Sequence, residues 1–357
     1  KLGTRVVTVH GNELDRAFIS NVAVEVASLM KEGYQVAIVS SGAVGAGMGR
    51  LGLKERPLRI PELQATAAVG QGLLMNAYKL AFREHNVAIG QVLLTDDGLA
   101  DRWRYVNAKN TLEALFKFGV VPVVNENDSV AVEENKVGDN DRLSALVTHL
   151  VEAQLLVTYT TVDGLFTVDP TRFPDAEHIP VVEKVTPEMI AAAGSVGSAV
   201  SLGGMKTKLQ AVASVTRGGG TVVIADGRKA SLRGILAGDD IGTLFLPTGT
   251  VVRGKKRWLA NTRNKGVVVV DDGASAALRE GGKSLLASGI IRVDGDFDEG
   301  ELIAIEDGAG QEIGRGLVRY RSEDVETIQG KRSDEISKIL VGRAAEAVIH
   351  RDDMVIL

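Results

Sequence analysis

Short apolar runs that alternate with amphipathic helical patterns through the first 250 residues constrain this chain more than any other feature. Runs at 36–39, 88–94, 120–124, 155–159 and 221–225 read as strands, that at 120–124 as one buried in a parallel sheet. Helix-period patterns at 13–31, 62–84, 99–118 and 143–151 lie between them. Such alternation predicts an α/β domain whose open, mostly parallel sheet is sandwiched by helices. Right-handed crossovers then bring the loops that leave the strand carboxyl ends to one edge, where ligands bind.

Beyond Lys255-Lys256-Arg257 the pattern changes to short runs bounded by Gly and Asp, at 266–270, 289–293, 302–305 and 314–320. A helix at 322–329 and a last strand at 350–357 follow. This spacing predicts a small β barrel. The expected division is a first domain at 1–250, a linker at 251–263 and a barrel at 264–357. A chain of 357 residues, 45% hydrophobic and 24% charged, suits two folded, soluble domains. No apolar stretch is long enough to span a bilayer, and no signal peptide is visible, so a cytoplasmic location is expected. Residues are expected to precede Lys1.

Composition also excludes chemistry. There is no cysteine, hence no disulfide, thiolate metal site or cysteine nucleophile. The five histidines (His10, His85, His149, His178, His350) lack ligand spacing. From Trp258 onward 13 Lys and Arg face 19 Asp and Glu, a balance of −6, whereas the remainder carries 28 against 27. An acidic C-terminal part is a poor match for a polyanion, although Arg315, Arg319 and Arg321 alternate along one expected strand and would share a face.

Three loops carry chemistry. After the 120–124 strand come Asn125-Glu126-Asn127-Asp128 and then Gly138-Asp139-Asn140-Asp141, too dense a set of amides and carboxylates for packing alone. Ser40-Ser41-Gly42-Ala43 follows the first strand and opens a helix. Its small residues let backbone N–H groups approach an anion, and its spacing fits neither the Walker A nor the dinucleotide fingerprint. Gly203-Gly204-Met205-Lys206-Thr207-Lys208 opens another helix with two lysines, a geometry suited to nucleotide phosphates. Taken singly, each loop could be an Asn/Asp turn or a glycine-started helix with exposed lysines. Lys1 and Lys208 converging on anions, with Asp139 holding both in place, would make a phosphoryl-transfer site.

These segments, with Lys1-Leu2-Gly3-Thr4 and Arg102-Trp103-Arg104-Tyr105-Val106-Asn107, resemble the glutamate 5-kinase family in order along essentially the whole chain. The resemblance implies an amino-acid kinase fold followed by a PUA domain. It also implies ATP-dependent phosphorylation of the γ-carboxylate of L-glutamate, the first step of proline synthesis. Carried over by position, Lys1 and Lys208 would steady the moving phosphoryl group and Asp139 would orient them. Ser41, Asp128 and Asn140 would bind glutamate. Lys1, Thr160, Thr161, Leu202, Gly203, Gly204, Met205, Lys206, Thr207 and Lys208 would hold ATP, with Mg2+ brought by the nucleotide and no metal site of the protein's own. Proline as feedback inhibitor, a glutamyl-phosphate reductase as recipient of the product and a homo-oligomeric state are further implications; membrane and nucleic-acid partners are not expected. The sequence departs from the family at Thr161, Leu202 and Arg5, mostly on the nucleotide side, so restoring Asp at Thr161 is expected to tighten ATP binding. The alternatives are another amino-acid kinase relative (acetylglutamate, aspartate or uridylate kinase), an RNA-binding PUA protein, and a silent regulatory homologue.

Overall fold

In the computed structural model the chain divides into two compact units, residues 1–251 and 252–357. The residues described are 1–130, 140–168, 170, 173–195, 204–248, 258–259, 264–280, 282–332, 335–336, 339–340 and 347–357.

In the first unit the apolar runs form two half-sheets. In one, Ile38–Val39, Val121–Glu126 and Ile89–Leu94 are parallel, with Val121–Glu126 in the centre. In the other, Leu155–Thr160 pairs in parallel with Thr221–Asp226, which pairs antiparallel with Thr243–Phe245, beside Val181–Val182. Leu2 joins the halves through parallel bridges to Tyr159 and Ser40. Its N–H donates to the Val39 carbonyl at 2.8 Å, and the Lys1 carbonyl accepts from the Tyr159 N–H at 2.9 Å. Lys1 therefore sits in the middle of the sheet, held by main-chain bonds on which its own side chain does not depend.

Each face of this sheet is covered. One core places Val123, Tyr159 and Val223 against Phe18, Ile19, Val22 and Leu74, Tyr78, Phe82, which come from the helices Arg16–Lys31 and Ile60–Arg83. The other places Leu156, Val222 and Ile224 against Ala145, Leu209, Val212 and Val215 of the helices Asn140–Leu150 and Met205–Arg217. Along Leu155–Thr160, residues on opposite faces alternate as the period of a strand requires, which turns Tyr159 to the first core and Leu156 to the second.

Two expected helices are shorter than their periodicity. The 13–31 pattern begins as the strand Glu13–Leu14, paired with Thr8–Val9; Asp15 then caps the helix by accepting from Phe18 N–H at 2.9 Å. The 99–118 pattern breaks into Asp96–Ala100 and Arg102–Lys117, because Asp101 accepts from Arg104 N–H at 2.8 Å and starts a new helix. Both breaks are side-chain caps inside an otherwise continuous apolar rhythm.

The second unit is a five-stranded sheet in the order Ile290–Asp294, Gly266–Val270, Leu302–Glu306, Glu312–Val318, Ile349–Ile356. An antiparallel bridge from Leu285 to Ile349 draws the chain before the first of these strands to the far edge. Val268, Ile303, Ile305, Ile313 and Val318 pack with Val325 and Ile328 of the helix Ser322–Ile328. The helix Asp272–Arg279, absent from the sequence expectation, is capped by Asp271, which accepts from Ala274 N–H at 2.7 Å. Among the described residues no helix is long and apolar enough to cross a membrane.

Candidate functional site

The carboxyl ends of the strands in the first unit carry the polar residues. Asn125 and Glu126 close the central strand Val121–Glu126, Ser40-Ser41 follows Ile38–Val39, and Asn140-Asp141 opens the helix behind them. Asn140 and Asp141 are consecutive, so one helix start serves two neighbouring groups of side chains.

Asp141 gathers the cations. Its Oδ1 accepts from Lys1 Nζ, and its Oδ2 accepts from Lys208 Nζ at 3.2 Å and from Thr207 Oγ1 at 2.8 Å. The side chains are 2% (Asp141), 5% (Lys1) and 11% (Lys208) exposed, so this is a desolvated cluster of two cations on one anion. Burial alone would push the Asp141 carboxyl up, but the Lys1 and Lys208 charges and the Lys1 and Thr207 hydrogen bonds outweigh it. They hold the group below its ordinary range. Two ammonium groups are thus brought together in a site largely withdrawn from water, where charge acts strongly on an incoming anion.

The sequence expectation placed Asp139 between the two lysines. Asp139 lies outside the described residues, and the carboxylate found shared by Lys1 and Lys208 is Asp141. The register of the helix accounts for its position. Asp141 lies one turn before Ala145, which packs on Leu209 and Val212 of the facing helix, so Asp141 meets that helix's first turn, where Thr207 and Lys208 stand.

The amide half is built on Asn140, 1% exposed. Its Nδ2 donates to the Ser40 carbonyl at 2.8 Å, to Ser41 Oγ at 3.1 Å and to Asn125 Oδ1 at 2.7 Å. Ser40 Oγ in turn donates to the Ser41 carbonyl at 2.9 Å and lies 2.7 Å from the buried Tyr78 hydroxyl. Gly42, at φ +108°, turns the chain from Ser41 into the helix Ala43–Leu51, a conformation that L side chains avoid. Ser41 and Asp128 are both buried. Glu126 beside them is raised to about 8 by burial, then by the charges of Asp128, Asp96 and Asp97. Arg56 lies close enough to Asp128 to feel its charge, although burial is the larger influence and lowers its pKa.

The nucleotide side is more open. Thr160 ends its strand half-buried, Thr161 and Lys206 are exposed, and Gly204 is the N-cap of the Met205–Arg217 helix. Leu202 and Gly203 lie outside the described residues. Thr207, expected only as part of a phosphate turn, donates to Asp141. Gln71 and Tyr78 went unassigned in the sequence because each is a lone polar residue on an apolar helix face, where packing is the simpler expectation; Asn125 was read as part of its polar loop, with no role of its own.

Residues 1–226 match the model of the amino acid kinase family, and residues 266–340 match that of the PUA domain. Glutamate 5-kinase of Moorella thermoacetica is 48% identical to this chain, over 100% of the chain and 95% of its own length. Glutamate 5-kinase of Geobacter sulfurreducens is 46% identical, over 100% and 96%. The solved structure of carbamate kinase from Giardia lamblia bound to AMP-PNP covers 69% of this chain and 96% of its own at a TM-score of 0.49 and 18% identity.

Proposed function

The chain belongs to the amino acid kinase family, with the glutamate 5-kinases as its full-length relatives, and from that premise we propose how its residues divide the phosphorylation of L-glutamate by ATP. The observation that carries the reading is the Asp141 carboxylate shared by Lys1 and Lys208. The γ-carboxylate of glutamate is already ionised at neutral pH, with a pKa of about 4.3, so no general base is needed. Catalysis is then a matter of bringing two anions together and of spreading the charge that develops on the transferring phosphoryl group.

Lys1 and Lys208 meet that charge from two sides, and Asp141 fixes their ammonium groups. Ser41, Asp128 and Asn140 receive glutamate, with Asp128 opposite its α-ammonium. Thr160, Thr161 and the segment 202–208 receive ATP. Mg2+ arrives with the nucleotide. Asp141 is already shared by two lysines and Thr207, so it would offer the ion little, and the ion would supply charge neutralisation on the phosphates. Product passed to a reductase, inhibition by proline and self-association belong to the same reading.

ADP release with glutamate tests it. Lys208→Ala is expected to lower kcat by about 10²-fold or more, the scale of losing one charge-stabilising group in a desolvated site. Undiminished turnover in that variant would sink the mechanism. Trapping of the acyl phosphate as a hydroxamate, with glutamate, acetylglutamate and aspartate compared, tests the substrate: only the first should give a strong signal.

A further inference from the structure

Two polar atoms in the amide half, one donor and one acceptor, are buried without a hydrogen-bond partner among the described residues: Gln71 Nε2 and Asn140 Oδ1. A buried amide left so costs about 1–3 kcal/mol, and native folds rarely tolerate that cost without a use for the group. Both atoms adjoin the same residue, Asn125, and their orientations are set by main-chain groups.

Asn140 Nδ2 donates to the Ser40 carbonyl, which can only accept, so the opposite atom of that amide is the oxygen. Asn125 Oδ1 accepts from Asn140 Nδ2 and, at 2.9 Å, from the Glu126 main-chain N–H, which can only donate. Asn125 Nδ2 must therefore donate, and it does so to Gln71 Oε1 at 2.8 Å. Gln71 is left with its N–H donors facing elsewhere. A chain of amides anchored at the backbone thus presents an acceptor at one end and a donor at the other. The buried carboxylate Asp128 stands on the loop that leaves the same strand as Asn125.

An acceptor, a carboxylate on the loop that follows Asn125 and a separate donor are the groups an α-amino-acid headgroup needs. We infer that Gln71 is a specificity-determining residue whose Nε2 donates to the α-carboxylate of the substrate, while Asn140 Oδ1 accepts from the α-ammonium next to Asp128. The inference rests on glutamate being the occupant of this crevice. It adds a role for a residue of the Ile60–Arg83 helix, outside every loop motif in the sequence. It also accounts for a relay that runs through side chains, in which each link aligns the next.

The test compares glutamate with its α-amide, isoglutamine, in the full-length protein. A hydrogen bond to a carboxylate is roughly twice as strong as one to a neutral carbonyl, so the unaltered protein should prefer glutamate by about tenfold or more in kcat/KM. Gln71→Met is expected to raise KM for glutamate by about tenfold with KM for ATP unchanged, and to collapse the preference toward one. A residue that only supports Asn125 would lower both substrates in proportion and leave the preference intact, which overturns the inference. Gln71→Glu keeps the acceptor for Asn125 and supplies a second measurement should Gln71→Met not fold. Its loss with glutamate should deepen as pH rises and the introduced carboxyl ionises, while isoglutamine is spared; equal pH profiles for the two substrates would also overturn it. Failure of the unaltered protein to phosphorylate glutamate would overturn both this inference and the reading beneath it, an outcome distinct from the others.

Discussion

At the scale of single residues, Asp141 and Glu126 show how burial gives two neighbouring acids opposite characters. Asp141 is kept ionised by two lysines and a hydroxyl, so Asp141→Asn should remove the carboxylate that both ammonium groups share. The expected result is a fall in kcat of about 10²-fold or more with a smaller change in KM for glutamate, measured by ADP release. Glu126 has carboxylates around it instead. Its folded-state pKa is raised from 4.5 to about 8, so its neutral form is the one the fold favours. Its contribution to stability is whole below 4.5 and is lost as pH climbs through about 8. Glu126→Gln should therefore melt above the unaltered protein by a margin that grows between these limits, reaching at least about 2 °C on the alkaline side. A margin independent of pH would show that Glu126 is ionised throughout. Sequence reading reached this segment but could not single out Asp141. Asp139 and Asp141 are equally acidic on paper, and only the helix register, with Ala145 one turn on, turns Asp141 toward Lys208.

At the scale of elements, the substrate loop depends on two helices that meet backbone to backbone. A Cβ on Gly70 would stand 1.8 Å from the Ala43 carbonyl oxygen, and one on Gly47 would stand 1.9 Å from that of Thr66. The Ala43–Leu51 helix begins immediately after Ser41 and Gly42, so pushing it away moves the Ser41 hydroxyl off Asn140. Gly70→Ala is expected to cost about 1–3 kcal/mol of stability and to raise KM for glutamate. Two positions along the same helix, Gly72 has open space around its Cβ position, and Gly72→Ala should stabilise by about 0.4–1 kcal/mol. Thermal melts of the two variants check the contrast, and similar shifts would refute the close-packing account. The strands were legible because runs so short and so largely apolar, alternating with helical periods, fit strands of a helix-covered sheet and little else. Close helix crossings were not, because a glycine inside a helix pattern looks alike whether or not another backbone lies against it. The shortened helices at Asp15 and Asp101 were hidden for a related reason: apolar periodicity continues across a cap that only the backbone geometry reveals.

At the scale of the whole molecule, charge decides what the C-terminal unit can hold. Its balance of −6 from Trp258 onward sets the average field, and the local arrangement removes the basic stripe expected from the sequence. The strand ends at Val318, so of the three arginines only Arg315 lies within it; Arg321 instead stands at the N-cap position of the following helix, without a side-chain cap bond. Each of the three has an acidic partner: Arg315 pairs with Glu312, Arg319 with Asp353 at 3.5 Å and Arg321 with Asp298 at 3.3 Å. A phosphate backbone would have to displace these carboxylates before it released any counterions, and counterion release supplies most of the affinity for nucleic acid. Titration of tRNA at about 0.15 M salt should therefore give no binding tighter than about 10⁻⁴ M, the weak end of non-specific association. Exchanging Asp298 and Asp353 for Asn should strengthen it and steepen its salt dependence, because two guanidinium groups would be released from their carboxylates. Tight, salt-sensitive binding by the unaltered protein would mean that other cations of the chain form the contact, and the RNA-binding reading would then stand beside the kinase rather than behind it.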